Sequence, residues 1–260
     1  MVEQDLSEAL ASLAGLLTGV RTLEETLTQV AQFAVRAIPG AEGAGLTLLA
    51  AGRAQTVVAS HDFVRRIDEV QYGLDEGPCV SAVAERRTVS SGSLGGAAQW
   101  PRFGPRVGRL GVHSALSLPL LLPDRVVGAV NVYAHPKNVF GFDAVRLGEL
   151  FAPPAAVTVF NAQVLAQSQA LVAQLHQALT SRAVIDQALG IVMSRTGASA
   201  EEALNRLRAI SQSESIKLAD VAAQILAEAV RRARQRRQAM PADPAASSST
   251  PRPAGNRESR

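Results

Sequence analysis

The sequence predicts an α+β domain, an antiparallel sheet flanked by helices, followed by an all-α three-helix module. Three observations carry this. Apolar residues change from helical to alternating spacing after Pro39-Gly40. Two apolar runs, residues 114–122 and 125–135, are joined across Pro123-Asp124 as a hairpin would be. From Asp143 the helical spacing returns and persists almost to Arg195. A chain of 260 residues has length for one large core and one small one. With 47% apolar but only 4% aromatic residues, Ala, Leu and Val must fill both.

The elements follow in order. Residues 5–20 read as a helix, and a second begins after Thr22, which with Glu25 forms a capping box ahead of Leu23, Leu27, Val30 and Phe33. Pro39-Gly40 ends it. Residues 45–50 and 55–60 read as strands around Ala51-Gly52-Arg53, and shorter helices are expected at 62–71 and 78–87. The Gly/Ser-rich stretch 90–98 reads as a loop before the hairpin. Within the long helical stretch, Pro153-Pro154 is expected to break or kink the helix. Val157, Phe160, Val164, Leu171, Leu175 and Leu179 continue one apolar stripe past it, with Ser168 in the gap. Such a stripe either packs on the sheet domain or forms the seam of a dimer.

The remainder gives three helices. Ile185, Ala188 and Val192 share one face, and Gly197 stands where glycine stops a helix. Ser199 with Glu202 is a second capping box, ahead of the inward face Ala203, Leu207 and Ile210. Asp220 sits in the first turn of the last helix, where the helix dipole favours an acid, and Val221, Ile225 and Leu226 complete the core.

Charge and composition narrow the function classes. The single cysteine, Cys79, cannot form an internal disulfide, a CxxC pair or a cysteine-based metal site. His61, His113, His135 and His176 lack metal-ligand spacing, and neither a Ser/His/Asp order nor a phosphate-cradling glycine loop occurs. No catalytic residue, metal or cofactor is therefore expected. No apolar run reaches the roughly 18 residues of a membrane span, and the first ten residues carry acids where a signal peptide carries Lys or Arg. A cytoplasmic protein is expected. The net charge of +3 conceals an asymmetry, since residues 231–260 hold eight arginines against Asp243 and Glu258. That basic tail either closes the last helix through the dipole or contacts a polyanion, and beyond Met240 its Pro/Ala/Ser composition reads as disorder.

Tyr72-Gly-Leu-Asp-Glu-Gly-Pro-Cys79, Gln99-Trp-Pro-Arg-Phe103, Leu118-Pro-Leu120 and Gly128-Ala-Val-Asn-Val-Tyr133, in that order, resemble the GAF domains of actinobacterial regulators. The resemblance implies a PAS-like sheet with a pocket on one face that senses a small molecule or partner. Trp100 and Cys79 read as structural, and Cys79 lacks the adjoining His of bilin-attaching GAF domains. Lys137-Asn-Val-Phe-Gly-Phe-Asp143 does not reproduce the cyclic-nucleotide motif of the family. GAF-type methionine sulfoxide reductases need more than one cysteine. Ala178-Leu-Thr-Ser-Arg-Ala-Val-Ile-Asp-Gln-Ala-Leu-Gly-Ile-Val-Met193, Ala203-Leu-Asn-Arg-Leu-Arg-Ala-Ile-Ser-Gln212 and Lys217-Leu-Ala-Asp-Val-Ala222 resemble the three helices of an ANTAR domain. Such domains bind hairpin loops in nascent transcripts and prevent a terminator from forming.

This resemblance implies domains at 1–21 (N-terminal helix), 22–160 (GAF), 161–177 (linker helix), 178–230 (ANTAR) and 231–260 (basic, disordered tail). It implies RNA contacts from Arg182, Arg206, Arg208, Ser211, Gln212 and Lys217, and a homodimer with small-molecule or protein input at the GAF domain. Arg182 has a plain structural alternative, an ion pair with Asp186 four residues on. Leu189 stands where the family commonly has Lys, and residues 178–230 hold five basic against six acidic side chains, so an RNA site must be a local patch. The competing reading is a GAF ligand- or protein-binding module whose helical output does not bind RNA.

Overall fold

The computed structural model describes residues 2–16, 21–50 and 53–239 and divides into two units, residues 1–170 and 171–260. The turn expected at Ala51-Gly52-Arg53 and the end of the first helix fall partly outside the described residues.

The first unit is a five-stranded antiparallel sheet: β1 (Gly43–Ala50), β2 (Arg53–Ala59), β3 (Val89–Ser91), β4 (Ser114–Leu121) and β5 (Val126–Ala134), in the order β2-β1-β5-β4-β3. The alternation of side chains along each strand sorts two cores. Leu46 and Leu48, Leu116, Leu118 and Leu120, and Val130 and Val132 face α1 (Val2–Leu16), α2 (Leu23–Ala37) and the early turns of α6 (Phe142–Thr196), where Leu27, Phe151, Ala155 and Val159 meet them. The intervening residues, among them Ala115 and Tyr133, face α3 (Asp62–Leu74), α4 (Pro78–Glu85) and α5 (Phe103–Arg109) through Ile67, Ala82 and Phe103. Both faces are thus covered, which is why β4 is buried almost throughout. The capping box at Thr22 and Glu25 forms as the sequence predicts.

The stretch 90–98 is not only a loop. Val89–Ser91 pairs with β4, and Leu94–Gly96 makes a 3-10 turn whose Leu94 is fully buried. A three-residue edge strand carries too short a pattern to read from sequence. The helix α5 was likewise not expected.

The expected break at Pro153-Pro154 does not occur: α6 runs unbroken for 55 residues. Each proline removes one N–H, which frees the carbonyls of Glu149 and Leu150. Both residues are exposed, so water can satisfy those oxygens, while Phe151 and Ala155 on the opposite side are buried and hold the helix to the sheet. Thr158 returns a hydroxyl hydrogen bond to the Pro154 carbonyl at 2.9 Å.

The second unit comprises the last part of α6, α7 (Ala200–Glu214) and α8 (Leu218–Ala239). Its core is small: Ala188, Leu207, Val221 and Ala222, flanked by Val184, Ile185, Leu189, Val192 and Ile225. Gly197 takes a φ of 69° after the last turn of α6, and the Ser199/Glu202 capping box opens α7. Ile210, expected inward, is 37% exposed. Arg231 to Ala239, expected to begin the disordered tail, instead continue α8, and only residues 240–260 of that tail lie outside the described residues. The unbroken run of helix formers and the alignment of the arginines with the C-terminal end of the dipole favour that extension.

Candidate functional site

In the first unit the face of the sheet under α3 and α4 carries buried polar groups. Thr47, Asp68, Gln71, Ser117 and Asn131 are all fully buried. Tyr133 donates its hydroxyl to Asp68 at 2.7 Å, Asn131 donates to the Thr47 hydroxyl at 3.2 Å, and Thr47 also bonds the Tyr72 hydroxyl. The Gln71 side-chain oxygen accepts from the Cys79 N–H at 2.9 Å. Gly77, at the start of α4, has φ 147°, and a Cβ there would run into Gln71. Glycine is required at this bend.

Three atoms of this cluster find no protein partner: Gln71 Nε2, Ser117 Oγ and Asn131 Oδ1. Ser117 and Asn131 are cross-strand neighbours, and Gln71 joins them through the chain Cys79, Thr47, Asn131. Buried polar atoms are costly without partners, so this set is suited to a small polar molecule or water. Cys79 lies within it, and burial, helped by the neighbouring Asp68 charge, pushes its thiol up to about 11. A thiol in that range is neutral at pH 7 and a poor nucleophile.

The sequence motifs beside it have structural work. The Glu76 carboxylate accepts from the Arg102 and Phe103 N–H groups at 2.7 and 2.9 Å and from Arg102 Nε at 2.9 Å, fixing the start of α5. These hydrogen bonds, with that from Phe103 foremost, hold its carboxyl below the usual range. Trp100 donates to Ser81 at 3.1 Å and is buried. The two motifs thus form one brace between the α3–α4 bend and α5.

In the second unit the residues singled out from sequence do not share one face. Arg182 on α6 is exposed, and no ion pair to Asp186 forms among the described residues. On α7, Arg206 and Arg208 are both exposed, but at about 100° per residue they point some 160° apart, on either side of the buried Ala203 and Leu207. Arg208 shares its outward side with Gln212, which lies one turn on and is exposed. The Ser211 hydroxyl is used internally: it donates to the Ile216 carbonyl at 2.6 Å and ties the turn into α8. Lys217 is exposed, and its carbonyl accepts from Asp220 and Val221 at the start of α8.

Comparison with known proteins agrees with both units. The GAF domain model matches residues 20–159, and the ANTAR domain model matches residues 173–226. The chain belongs to the GAF domain family and carries an ANTAR domain. Among solved structures, this GAF–ANTAR protein is similar to the GAF domain of a phosphoenolpyruvate-protein phosphotransferase from Coxiella burnetii. The identity is 14% and the TM-score 0.50, over 62% of this chain and 96% of that one. The corresponding Acinetobacter domain gives 13% and 0.48, over 62% and 97%. A type II free methionine-R-sulfoxide reductase from Thermoplasma acidophilum gives 15% and 0.43, over 54% and 93%. No curated protein matches the chain in sequence.

Within the ANTAR domain, Leu189 packs against the small core of the GAF–ANTAR protein. Leu189 is half-buried, and the apolar choice adds to a core that has few large side chains. The pairing of GAF and ANTAR domains makes the GAF–ANTAR protein a signal-responsive, RNA-binding type of regulator. No helix among the described residues is long and apolar enough to cross a membrane.

Proposed function

We propose that the protein is a cytoplasmic, non-enzymatic antiterminator, in which a small molecule or partner at the GAF domain governs how the ANTAR domain engages hairpin loops of nascent RNA. The observation that carries this is the single helix α6, which supplies Phe151 and Val159 to the GAF core and Ala188 to the ANTAR core. A change at the first core thus has a continuous stretch of chain, α6, by which to reach the second. The orphaned atoms of Gln71, Ser117 and Asn131 supply the polar groups for the input. Arg182, Arg208, Gln212 and Lys217 supply exposed RNA contacts, with Arg206 on the far side of α7 and Ser211 held in the turn.

The protein acts as a homodimer. Val157, Val164 and Leu171 recur every seven residues along α6, and together with Leu175 and Leu179 are between 43% and 67% exposed. That spacing supplies one of the two apolar positions of a heptad seam, and a monomer would leave it in water. Phe160, counted in the same stripe from sequence, instead packs half-buried against the GAF core.

Selection from an RNA pool with randomised hairpin loops tests the function. The purified dimer should enrich hairpins with a common unpaired motif, and those hairpins upstream of a terminator should give protein-dependent read-through. Enrichment of no RNA would leave the competing reading, a GAF ligand- or protein-binding module with a helical output that does not bind RNA, which Leu189 and the acid balance of the ANTAR domain permit.

A further inference from the structure

Within the ANTAR unit, α6 and α8 enclose a groove of about 700 Å³ on the side of α6 away from Arg182. Its floor is apolar, formed by Ile191, Leu226 and Ala229, and its charged lining residues are Arg195, Arg232 and Arg236. No acid lines it. Arg232 bonds Glu228 at 2.6 Å, whereas Arg195 and Arg236 have no acidic partner among the described residues. Arg232 and Arg236 stand one turn apart, so their Cβ atoms are about 5–6 Å apart along one stripe of α8.

Gly190 adds an independent observation. It sits inside α6, where glycine is the least favourable residue apart from proline, and it lines the groove. A Cβ built on it would meet nothing within 4 Å. Neither backbone conformation nor packing within the fold calls for glycine here. A remaining physical reason is close approach of another molecule to the helix backbone.

We propose that this groove is a second RNA-binding surface, in which an unpaired nucleotide rests on the apolar floor against Gly190 while Arg195 and Arg236 hold its flanking phosphates. The proposal rests on the reading of the ANTAR domain as RNA-binding and adds a face that the residues singled out from sequence do not include. The charge favours RNA over a second copy of the chain, because the stretch from Ala229 to Ala239 holds five arginines and no acid, and two such stretches repel. Guanidinium groups over an apolar floor suit both the planar base and the phosphate oxygens.

The test uses the full chain and a hairpin enriched by the wild-type protein from the randomised-loop pool. Arg195→Gln/Arg236→Gln should make the salt dependence of binding shallower by about 0.7 in log–log slope for each lost contact, with affinity roughly tenfold or more weaker near 0.1 M salt. Gly190→Leu should abolish tight binding with the slope unchanged. Gly190→Ala, the gentler variant, should raise the melting temperature while weakening the RNA, a split that a purely structural glycine would not give. Wild-type binding by all these variants, with loss only in Arg182→Ala, overturns the groove and keeps the RNA reading. Loss in the arginine pair but not in the glycine variants assigns the arginines to general charge and also overturns it. A change in sedimentation of Gly190→Leu would assign the groove to the dimer instead. Failure of the wild type to enrich any RNA removes the RNA reading itself.

Discussion

Arg182 and Cys79 show how exposure decides what a residue can do. Arg182 is exposed and unpaired, so replacing it with Ala removes no fold contact and leaves a better helix former. Arg182→Ala should therefore cost about 1–3 kcal/mol in hairpin binding by gel shift, preferentially against unpaired loops, with circular dichroism unchanged. An equal loss for all RNAs would make it a plain phosphate contact. Cys79 is the opposite case, sealed among Thr47, Tyr72 and Asn131. Its thiol ionises at about 11 in the folded protein against 9.0 ordinarily, so the folded state disfavours the thiolate. The stability this contributes, roughly 2–3 kcal/mol, is fully present below pH 9 and is lost as the pH rises through 11. Denaturant unfolding at pH 8 and pH 11 should show that loss, and Cys79→Ala should show less of it. Iodoacetamide at pH 8 should label Cys79 only after unfolding.

At the scale of the element, α6 is decided by what it packs against rather than by its own sequence. Two prolines in mid-helix are accommodated because their unmatched carbonyls face water and their neighbours are buried. Replacing both with Ala should then raise stability by about 1–3 kcal/mol while the helical signal stays nearly constant, since there is no break to repair. A large gain in helix content would contradict the unbroken helix. Farther along, the exposed heptad positions make a second test. Val164→Asp with Leu171→Asp should sediment as a folded monomer, because two carboxylates in an apolar seam are not desolvated without cost. A persistent dimer would move the interface off this stripe.

For the whole molecule, the position of positive charge matters more than its sum. The net charge of +3 arises in residues 231–260, and five of those eight arginines lie on the last turns of α8. Ending the chain at Ala239 should leave the salt dependence of RNA binding little changed. Ending it at Val230 should make the slope shallower by about 0.7 for each of the helical arginines that contacts phosphate. Equal effects of the two truncations would place the phosphate contacts in residues 240–260. A binding curve at one salt concentration would not separate these cases.

The sequence by itself determined the two folds and their order. The strand at 45–50, the apolar hairpin runs 114–122 and 125–135, the capping boxes at Thr22 and Ser199, and Gly197 are local signals, readable because each is complete within a few residues. The exposed cations of the ANTAR unit were legible in the same way. Tertiary structure alone decided what depends on distant partners. It kept α6 whole at Pro153-Pro154, turned Ser90 and Ser91 into an edge strand and packed Phe160 half-buried against the GAF core. It also gathered Gln71, Ser117 and Asn131, from three separate elements, into one unsatisfied cluster. Spacing fixes which face a residue takes; only packing fixes what that face meets.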